Sequence, residues 1–312
     1  MWKDFPLFPK AASAYASEVD HLNLALLGFS LLFTIGIFTA ILYLSIKYRR
    51  RSPDDVAVAL EDPTRLEVAW TVLPFALSIG LLVWGVDLFW QARSPAKDPI
   101  EIAVVAKQWM WKVRHSSGAR EIDALHIPVG RPVRLTLATE DVIHSFYVPA
   151  FRAKQDVVPG RYTTLNFEPN RVGEYHLFCA EYCGTSHSQM KGTVTVMAPA
   201  DFERWLRSKA SAEAPLAAGR RHFEKLGCVS CHGPRSTEHG PALAGLVGRP
   251  VRLADGGLVV ADESYLRESI VDPAKKVVAG YRPLMPPFRG RLDEEEIFDL
   301  VSYVSSIPEP RP

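Results

Sequence analysis

The sequence lacks the features that mark several large classes of protein. Its 312 residues include only four cysteines, too few for a disulfide-dense scaffold. The chain has 36 lysines and arginines and 35 aspartates and glutamates, so it lacks the basic excess typical of nucleic-acid-binding proteins. No internal repeat is evident, and the composition excludes collagen-like and disordered chains. The length therefore predicts about two globular domains, with residues to spare.

Apolar residues are concentrated in two runs near the N-terminus. Residues 22–46 contain no charge, and a helix over them would be about 37 Å long, enough to cross a membrane. The second run, 68–90, has Asp87 as its one charge, and its Pro74 is tolerated in a membrane helix. We predict transmembrane helices at 21–46 and 68–91. The alternative is two buried helices of a soluble core, which are rarely charge-free over this length.

Basic residues lie mainly between these two helices. The predicted loop, 47–67, carries five of them, whereas the segment 1–20 carries two lysines. The positive-inside rule places this loop in the cytoplasm, with both termini and all later residues on the outer face. The segment 1–20 has no apolar h-region, so we expect no cleavable signal peptide.

The chain after the second helix shows two patterns. Residues 98–198 form short strand-like segments separated by turn signals, which predicts an all-β sandwich or barrel. Residues 199–215 shift to alanine, serine and charged residues, and predict a short helix followed by a linker at 208–215. Residues 216–312 consist of short helical segments. We expect the linker to leave this last domain some freedom to move.

The β domain contains a dense group of metal-ligating side chains. Two thiols, an imidazole and a thioether fall within 12 residues, as Cys179, Cys183, His187 and Met190, and His144 lies upstream. Soft sulfur and imidazole ligands together select copper. One cysteine with two histidines and a methionine would form a mononuclear blue-copper site, whereas two thiolates can bridge two coppers that each take one histidine. A Cys179–Cys183 disulfide is a third possibility.

A second motif lies in the C-terminal domain. The sequence Cys228-Val-Ser-Cys231-His232 is the C-x-x-C-H attachment motif for c-type haem, with the histidine as proximal ligand. A thiol redox pair is the alternative, but the adjacent histidine and the lack of a βαβ pattern argue against it. Elimination among the five methionines leaves Met285 as the sixth ligand, unless it is a core residue of its proline-rich loop.

These motifs resemble subunit II of haem-copper cytochrome c oxidases, and the likeness covers both membrane helices and the β domain. It is carried by His144-Ser-Phe-Tyr-Val-Pro, Lys154-Gln-Asp-Val-Val-Pro-Gly-Arg161 and Cys179-x-Glu181-x-Cys183-Gly-x-x-His187-x-x-Met190. The resemblance implies a Greek-key cupredoxin fold that holds a dinuclear CuA centre. Its implied ligands are Cys179 and Cys183 as bridges, His144 and His187 as terminal ligands, Met190 as a weak axial ligand, and the backbone carbonyl of Glu181.

The resemblance implies three further roles. The side chain of Glu181 would reach a magnesium ion shared with subunit I. Trp109 matches an aromatic used for electron entry to CuA, although it could be a cross-strand core residue. Glu67 matches a glutamate at the entrance of a proton pathway, although a first-turn residue favoured by the helix dipole is equally consistent.

The C-terminal domain is similar to a small, all-α class I cytochrome c. The whole chain is therefore predicted to be the electron-input subunit of a respiratory terminal oxidase in the bacterial plasma membrane, with its CuA and haem domains on the periplasmic face. Electrons would pass from a cytochrome c donor through covalent haem c to CuA and on to subunit I, where oxygen is reduced to water with proton pumping. Subunit III and membrane lipid are further expected partners, and nucleic acid is not.

Three other functions remain open at this point. The CuA-bearing subunit of a nitric oxide reductase would use the same electron path, a membrane-anchored copper chaperone belongs to another class, and a free-standing electron-transfer protein would have no oxidase partner. The remaining histidines have no partners at ligand spacing, and we expect them at the surface or in turns: His115, His126, His176, His222 and His239.

Overall fold

The computed structural model describes residues 9–56, 64–94, 96–209, 214–233 and 235–309. Parts of the predicted N-terminal segment, cytoplasmic loop and linker lie outside these described residues. The chain divides into two compact units. One contains the helices of residues 14–94, and the other contains the described residues before and after them.

The first unit consists of two long helices, α1 (Ala14–Lys47) and α2 (Thr64–Arg93). Both are long and apolar enough to cross a membrane. Their large apolar side chains are mostly exposed, so they are not the buried core helices of a soluble domain. Pro74 lies inside α2, and its carbonyl accepts a 2.8 Å hydrogen bond from the Ser78 hydroxyl.

The β domain is a sandwich of two five-stranded sheets. The first sheet has the order β3-β2-β1-β5-β8, and the second has the order β4-β10-β9-β6-β7. The strands are β1 (Ile100–Lys107), β2 (Met110–His115), β3 (Arg120–Ile122), β4 (Ala124–Pro128), β5 (Val133–Thr139), β6 (His144–Val148), β7 (Ala153–Val157), β8 (Thr163–Phe167), β9 (Gly173–Cys179) and β10 (Lys191–Met197). The pairs β1–β5 and β4–β10 are parallel and the remaining pairs are antiparallel.

Alternate side chains of both sheets meet in one apolar core. Trp111, Phe146 and Phe151 are fully buried there, and the rings of Trp111 and Phe146 meet edge to face with centroids 5.1 Å apart. Each such aromatic buries about 150–250 Å² of surface. The core therefore fixes the ends of the strands, where the candidate metal ligands lie.

The C-terminal domain is built mainly from helices. Helix α3 (Pro199–Lys209) leads into it from the sandwich. Its own elements are α4 (Pro215–Lys225), a hairpin of β11 (Pro250–Arg252) and β12 (Leu258–Val260), α5 (Glu263–Val271) and α6 (Glu294–Ser306). Helices α4 and α6 cross at Gly219, where a Cβ atom would lie 1.9 Å from the Asp299 carbonyl oxygen. Asp293 and Glu296 form a capping box that begins α6.

His115 is buried in a hydrogen-bonded cluster with Glu121 and the partly exposed His126, so the expectation that His115 lies at the surface was wrong. His115 Nε2 lies 3.0 Å from Glu121 Oε1, and His126 Nδ1 contacts the other carboxylate oxygen. Trp205 of α3 stacks on His126 with ring centroids 4.5 Å apart. His115 and Glu121 come from the paired strands β2 and β3 of the first sheet, and His126 comes from β4, where the chain has crossed to the second sheet.

Replacing Glu121 should destabilise the sandwich. Burial raises the pKa of Glu121, but hydrogen bonds from His115 and His126 outweigh it and lower the pKa overall. The stabilisation is therefore present above the unfolded pKa and disappears as the pH falls through the lower folded value. Because Glu121→Ala leaves buried partners unpaired, we expect a loss of about 1–3 kcal/mol near neutral pH.

Thermal unfolding of the detergent-solubilised full chain tests this expectation. Glu203→Ala, an exposed position on α3, is the control for removing one carboxylate. The difference between the two variants should shrink below about pH 4. Equal unfolding temperatures at neutral pH would rule out a stabilising role for the cluster.

Candidate copper and haem sites

The first candidate site lies where β9 ends and β6 begins. Cys179 is the last residue of β9 and His144 the first of β6, and these two strands are neighbours in the second sheet. The loop that follows returns to the same place, because the Cys179 N–H donates to the Met190 carbonyl at 3.1 Å. The loop therefore brings Cys183 and His187 back over Cys179.

The ligand atoms of this site are close together. The Sγ atoms of Cys179 and Cys183 are 3.8 Å apart. His144 Nδ1 lies 3.9 Å from the first sulfur, and His187 Nδ1 lies 3.5 Å from the second. Met190 Sδ is 3.8 Å from Cys183 Sγ, and its side chain is buried. Each histidine thus accompanies a different cysteine.

This donor set fits two metal ions better than one. All four cysteines of the chain are free, and 3.8 Å is far longer than the roughly 2.05 Å of a disulfide bond. Two sulfurs side by side, with one imidazole next to each, match two bridging thiolates with one terminal histidine for each metal. A mononuclear blue-copper site would leave one of the sulfurs without a role. Thiolate and imidazole donors together favour copper or zinc over hard cations.

Asp141 is a supporting residue that sequence reasoning missed. Its Oδ1 lies 2.8 Å from His144 Nε2, and its Oδ2 accepts a 2.7 Å hydrogen bond from the Gln108 N–H. The contact at Nε2 turns Nδ1 of His144 toward the sulfurs, as second-shell carboxylates do for metal-binding histidines. The only signal in the sequence was an aspartate three residues before a candidate ligand.

The two thiols differ in acidity. Burial would raise the pKa of Cys179, but hydrogen bonds from His144 and the backbone lower it to about 6. Burial and the neighbouring Cys179 charge raise the pKa of Cys183 to about 12. Metal binding to both sulfurs requires that both thiols lose their protons.

Two side chains of the β1–β2 turn hold the Cys183 carbonyl. Gln108 Nε2 donates to it at 2.8 Å and Trp109 Nε1 at 3.2 Å. Gly184 has a φ of +112°, and a Cβ atom there would lie 2.9 Å from the Gln108 amide. Trp109 therefore contacts the copper loop directly and is only partly buried.

The other predicted residues lie at the edges of this arrangement. The Glu181 carbonyl accepts a 3.2 Å hydrogen bond from the Cys179 thiol, and its side chain is exposed. Glu67 lies in the first turn of α2 and is also exposed.

The second candidate site is a large apolar cavity in the C-terminal domain. Its volume of about 630 Å³ lies within the roughly 300–1,000 Å³ typical of cofactor pockets. All four predicted haem residues line it: Cys228, Cys231, His232 and Met285.

The predicted proximal histidine has one ring nitrogen held by the backbone. His232 Nδ1 lies 3.0 Å from the Pro241 carbonyl oxygen, which leaves Nε2 for an iron ion. Gly240 permits this approach, because a Cβ atom there would lie 3.1 Å from the His232 ring. The cavity and its histidine therefore fit a haem.

Comparison with known proteins relates all three regions to one family. The family described as "Cytochrome C oxidase subunit II, transmembrane domain" matches residues 2–86, and "Cytochrome C oxidase subunit II, periplasmic domain" matches residues 119–197. The cytochrome c family matches residues 216–308. Cytochrome c oxidase subunit 2 of Thermostichus vulcanus is 32% identical, and the match covers 72% of this chain and 86% of that protein. The chain belongs to the cytochrome c oxidase subunit II family.

A second relative agrees with this assignment, and one solved structure is also similar to part of the chain. Cytochrome c oxidase subunit 2 of Alkalihalophilus pseudofirmus is 29% identical over 97% of this chain and 89% of its own. The periplasmic domain of subunit II from Bradyrhizobium japonicum is a solved structure with 25% identity and a TM-score of 0.35, covering 36% of this chain and 95% of that chain.

The family assignment confirms the predicted fold class and the predicted kind of enzyme. This subunit II has two apolar helices that anchor it in a membrane, a cupredoxin domain and a C-terminal cytochrome c domain. It belongs to a haem-copper oxidase complex with subunit I, and its two domains imply copper and haem as cofactors. An electron-input role follows from the presence of a cytochrome c domain on a subunit II.

Removing the Asp141 carboxylate should weaken copper binding. Because the carboxylate orients His144, we expect Asp141→Asn to lower copper affinity about 10- to 100-fold. Asp156→Asn is a matched control on the neighbouring strand, since Asp156 pairs with Ser145 and Lys154 and touches no candidate ligand. Competition against a copper chelator measures both affinities. An affinity for Asp141→Asn equal to that of the control would contradict the orienting role.

Proposed function

We propose that this subunit passes electrons from a cytochrome c donor through a covalent haem c to a dinuclear CuA centre and on to subunit I. There oxygen would be reduced to water with proton pumping. The observation that carries the proposal is the pair of unbonded, buried sulfurs with a different histidine beside each one. A haem-sized cavity lined by a C-x-x-C-H motif lies in the same chain and would hold the haem that passes electrons to the copper pair.

The proposed copper ligands are Cys179, Cys183, His144, His187 and Met190, with the carbonyl of Glu181. When bound, the copper pair would be reduced by one electron as the haem iron is oxidised by one. The chain's own residues hold the ligand geometry constant. Burial of both sulfurs and the contact of His144 with Asp141 limit ligand movement, which suits electron transfer rather than substrate binding.

The proposed haem attachment uses Cys228 and Cys231, with His232 and Met285 as iron ligands. Met285 lines the same cavity as His232.

Further parts of the proposal rest on the family resemblance. Trp109 would mediate electron entry to the copper pair, and its contact with the Cys183 carbonyl is consistent with that role. Glu67 would mark a proton pathway, and Glu181 would share a magnesium ion with subunit I. The charges of the loop after α1 support a periplasmic position for both soluble domains in a bacterial plasma membrane, with subunit III as a further partner. The relatives named above are oxidases, which favours oxygen over nitric oxide as the acceptor.

Metal content and electron paramagnetic resonance test the copper proposal. The full chain reconstituted with copper and haem should hold two coppers per haem. The unpaired electron should be split evenly by both copper nuclei. One copper per haem, with splitting from a single nucleus, would overturn the dinuclear assignment and favour a blue-copper or chaperone-like site.

Substitution of Met285 tests the iron ligation. Met285→Ala should leave haem attachment intact and open one coordination position, so that the reduced protein binds carbon monoxide. Met197→Ala, at the end of β10, is the matched control and should not bind it. Carbon monoxide difference spectra measure this property. If the wild-type protein already binds carbon monoxide, or Met285→Ala does not, another residue holds that position.

A further inference from the structure

The cytochrome domain is packed against the outer face of the first sheet. We define the docking surface as Lys112, Arg114 and Tyr162 on the cupredoxin side and Glu295, Phe298 and Asp299 on α6 of the cytochrome side. The apolar core of the cytochrome domain also includes Ala138 and Tyr162, which belong to the cupredoxin domain. The two domains therefore share part of one core.

A buried ion pair lies at the centre of this surface. The Arg114 guanidinium of β2 contacts the Asp299 carboxylate of α6. Arg114 is 5% exposed and Asp299 3%, although they are 185 residues apart in the chain. Separating the domains would remove each charge from its partner. Loss of one partner of a buried pair is far more disruptive than loss of an exposed pair.

Aromatic and charged contacts surround this pair. The rings of Tyr162 and Phe298 meet edge to face with centroids 5.8 Å apart, and the guanidinium of Arg267 on α5 lies 5.8 Å from the Tyr162 ring centroid. Glu295 lies 3.6 Å from Lys112 Nζ and 3.4 Å from an Arg120 nitrogen. The cupredoxin side supplies the cations and α6 supplies the carboxylates, so the two surfaces are complementary in charge.

Helices α5 and α6 present opposite faces to the two neighbouring regions. Leu266, Leu300 and Val304 line the haem cavity, whereas Arg267, Phe298 and Asp299 contact the cupredoxin domain. Val229 and Leu284, near the haem motif and Met285, are 55% and 48% exposed. Docking therefore leaves these two residues beside the haem cavity exposed to solvent.

A series of charged contacts leads from the docking surface toward the candidate copper site. Lys112 bonds Glu140 at 2.7 Å as well as facing Glu295. Glu140 precedes Asp141, whose carboxylate contacts His144. Glu295 of the cytochrome domain is thus connected through Lys112 to Glu140, which is next in sequence to the residue that contacts the proposed copper ligand His144.

We propose that the cytochrome domain works from this fixed position, with Arg114, Asp299 and the Lys112–Glu295 pair as positioning residues, rather than as a carrier moving on its linker. This inference rests on the proposed function, because it concerns the electron transfer from haem to copper. A docked domain keeps one position relative to the cupredoxin domain for every transfer. Val229 and Leu284 stay exposed beside the haem cavity, so an external donor would reach them without displacing the domain.

Cleavage of the linker tests docking without any measurement of activity. A specific protease site placed within residues 210–213 of the full-length holoprotein would separate the domains covalently. After cleavage, gel filtration at low salt should show the haem absorbance still eluting with the membrane-anchored part. Release of the haem fragment from the otherwise unchanged protein would overturn the proposal.

Charge reversals identify the positioning residues. Arg114→Asp or Asp299→Arg should weaken retention by roughly 100-fold or more, and the double reversal should restore most of it. Glu295→Lys repeats the test at a partly exposed position that does not threaten folding, and should give a smaller loss because it places a cation beside Lys112 and Arg120. Arg220→Glu, in an exposed pair on α4, is the control and should not change retention. A double reversal of Arg114 and Asp299 that fails to restore retention, or normal retention in Glu295→Lys, would refute the assignment of these residues.

Electron-transfer kinetics separate positioning from stability alone. In the uncleaved wild type, transfer from haem to copper should follow one exponential whose rate is unaffected by glycerol. Glu295→Lys, which changes no residue of the cupredoxin domain, should make it slower, multiphasic and dependent on viscosity, with an unchanged copper spectrum. Viscosity-dependent transfer in the wild type would contradict a fixed position. Normal copper and haem content with a freely moving domain would refute only this inference, whereas absence of the copper pair would refute the proposed function.

Discussion

Two sulfur atoms held 3.8 Å apart without a bond between them are the constraint on which the copper site depends. The distance is set by the sandwich, because the loop from Cys179 returns to pair with Met190 and the Ala180 N–H donates to the Ser145 carbonyl. Both sulfurs are buried, so packing of the surrounding side chains limits their movement. A looser loop would allow a disulfide, which would remove both proposed bridging ligands.

The turn between β1 and β2 extends this constraint to the other sheet. Its Gln108 and Trp109 side chains hold the Cys183 carbonyl, and its Gln108 N–H is held in turn by Asp141. Asp141 also orients His144. One carboxylate therefore links the first sheet, the second sheet and the metal ligands. The copper site belongs to the whole end of the sandwich rather than to its cysteine loop.

The sequence predicted those features whose residues form a known spacing pattern. The cysteine loop and the C-x-x-C-H motif each place their predicted ligands by such spacing, and the long apolar runs predict the helices by composition alone. Asp141 and the Glu121 cluster were missed, although their partners are three to six residues away, because a carboxylate at those spacings forms no recognised pattern. His115 and His126 looked isolated for the same reason. The contact of Arg114 with Asp299 joins residues of two domains that are 185 positions apart, so no local sequence pattern could predict it.

The docking surface means that the linker does not have to act as a flexible tether for the haem domain. A flexible tether raises the local concentration of the haem domain, but every transfer then requires a search for a productive orientation. A domain held by a buried ion pair and a shared aromatic core has completed that search during folding. The remaining difficulty is that a docked carrier must still meet its donor. Helices α5 and α6 resolve it, because one of their faces contacts the cupredoxin domain while the other encloses the haem cavity. Fixed position and access to the donor are therefore compatible in one chain.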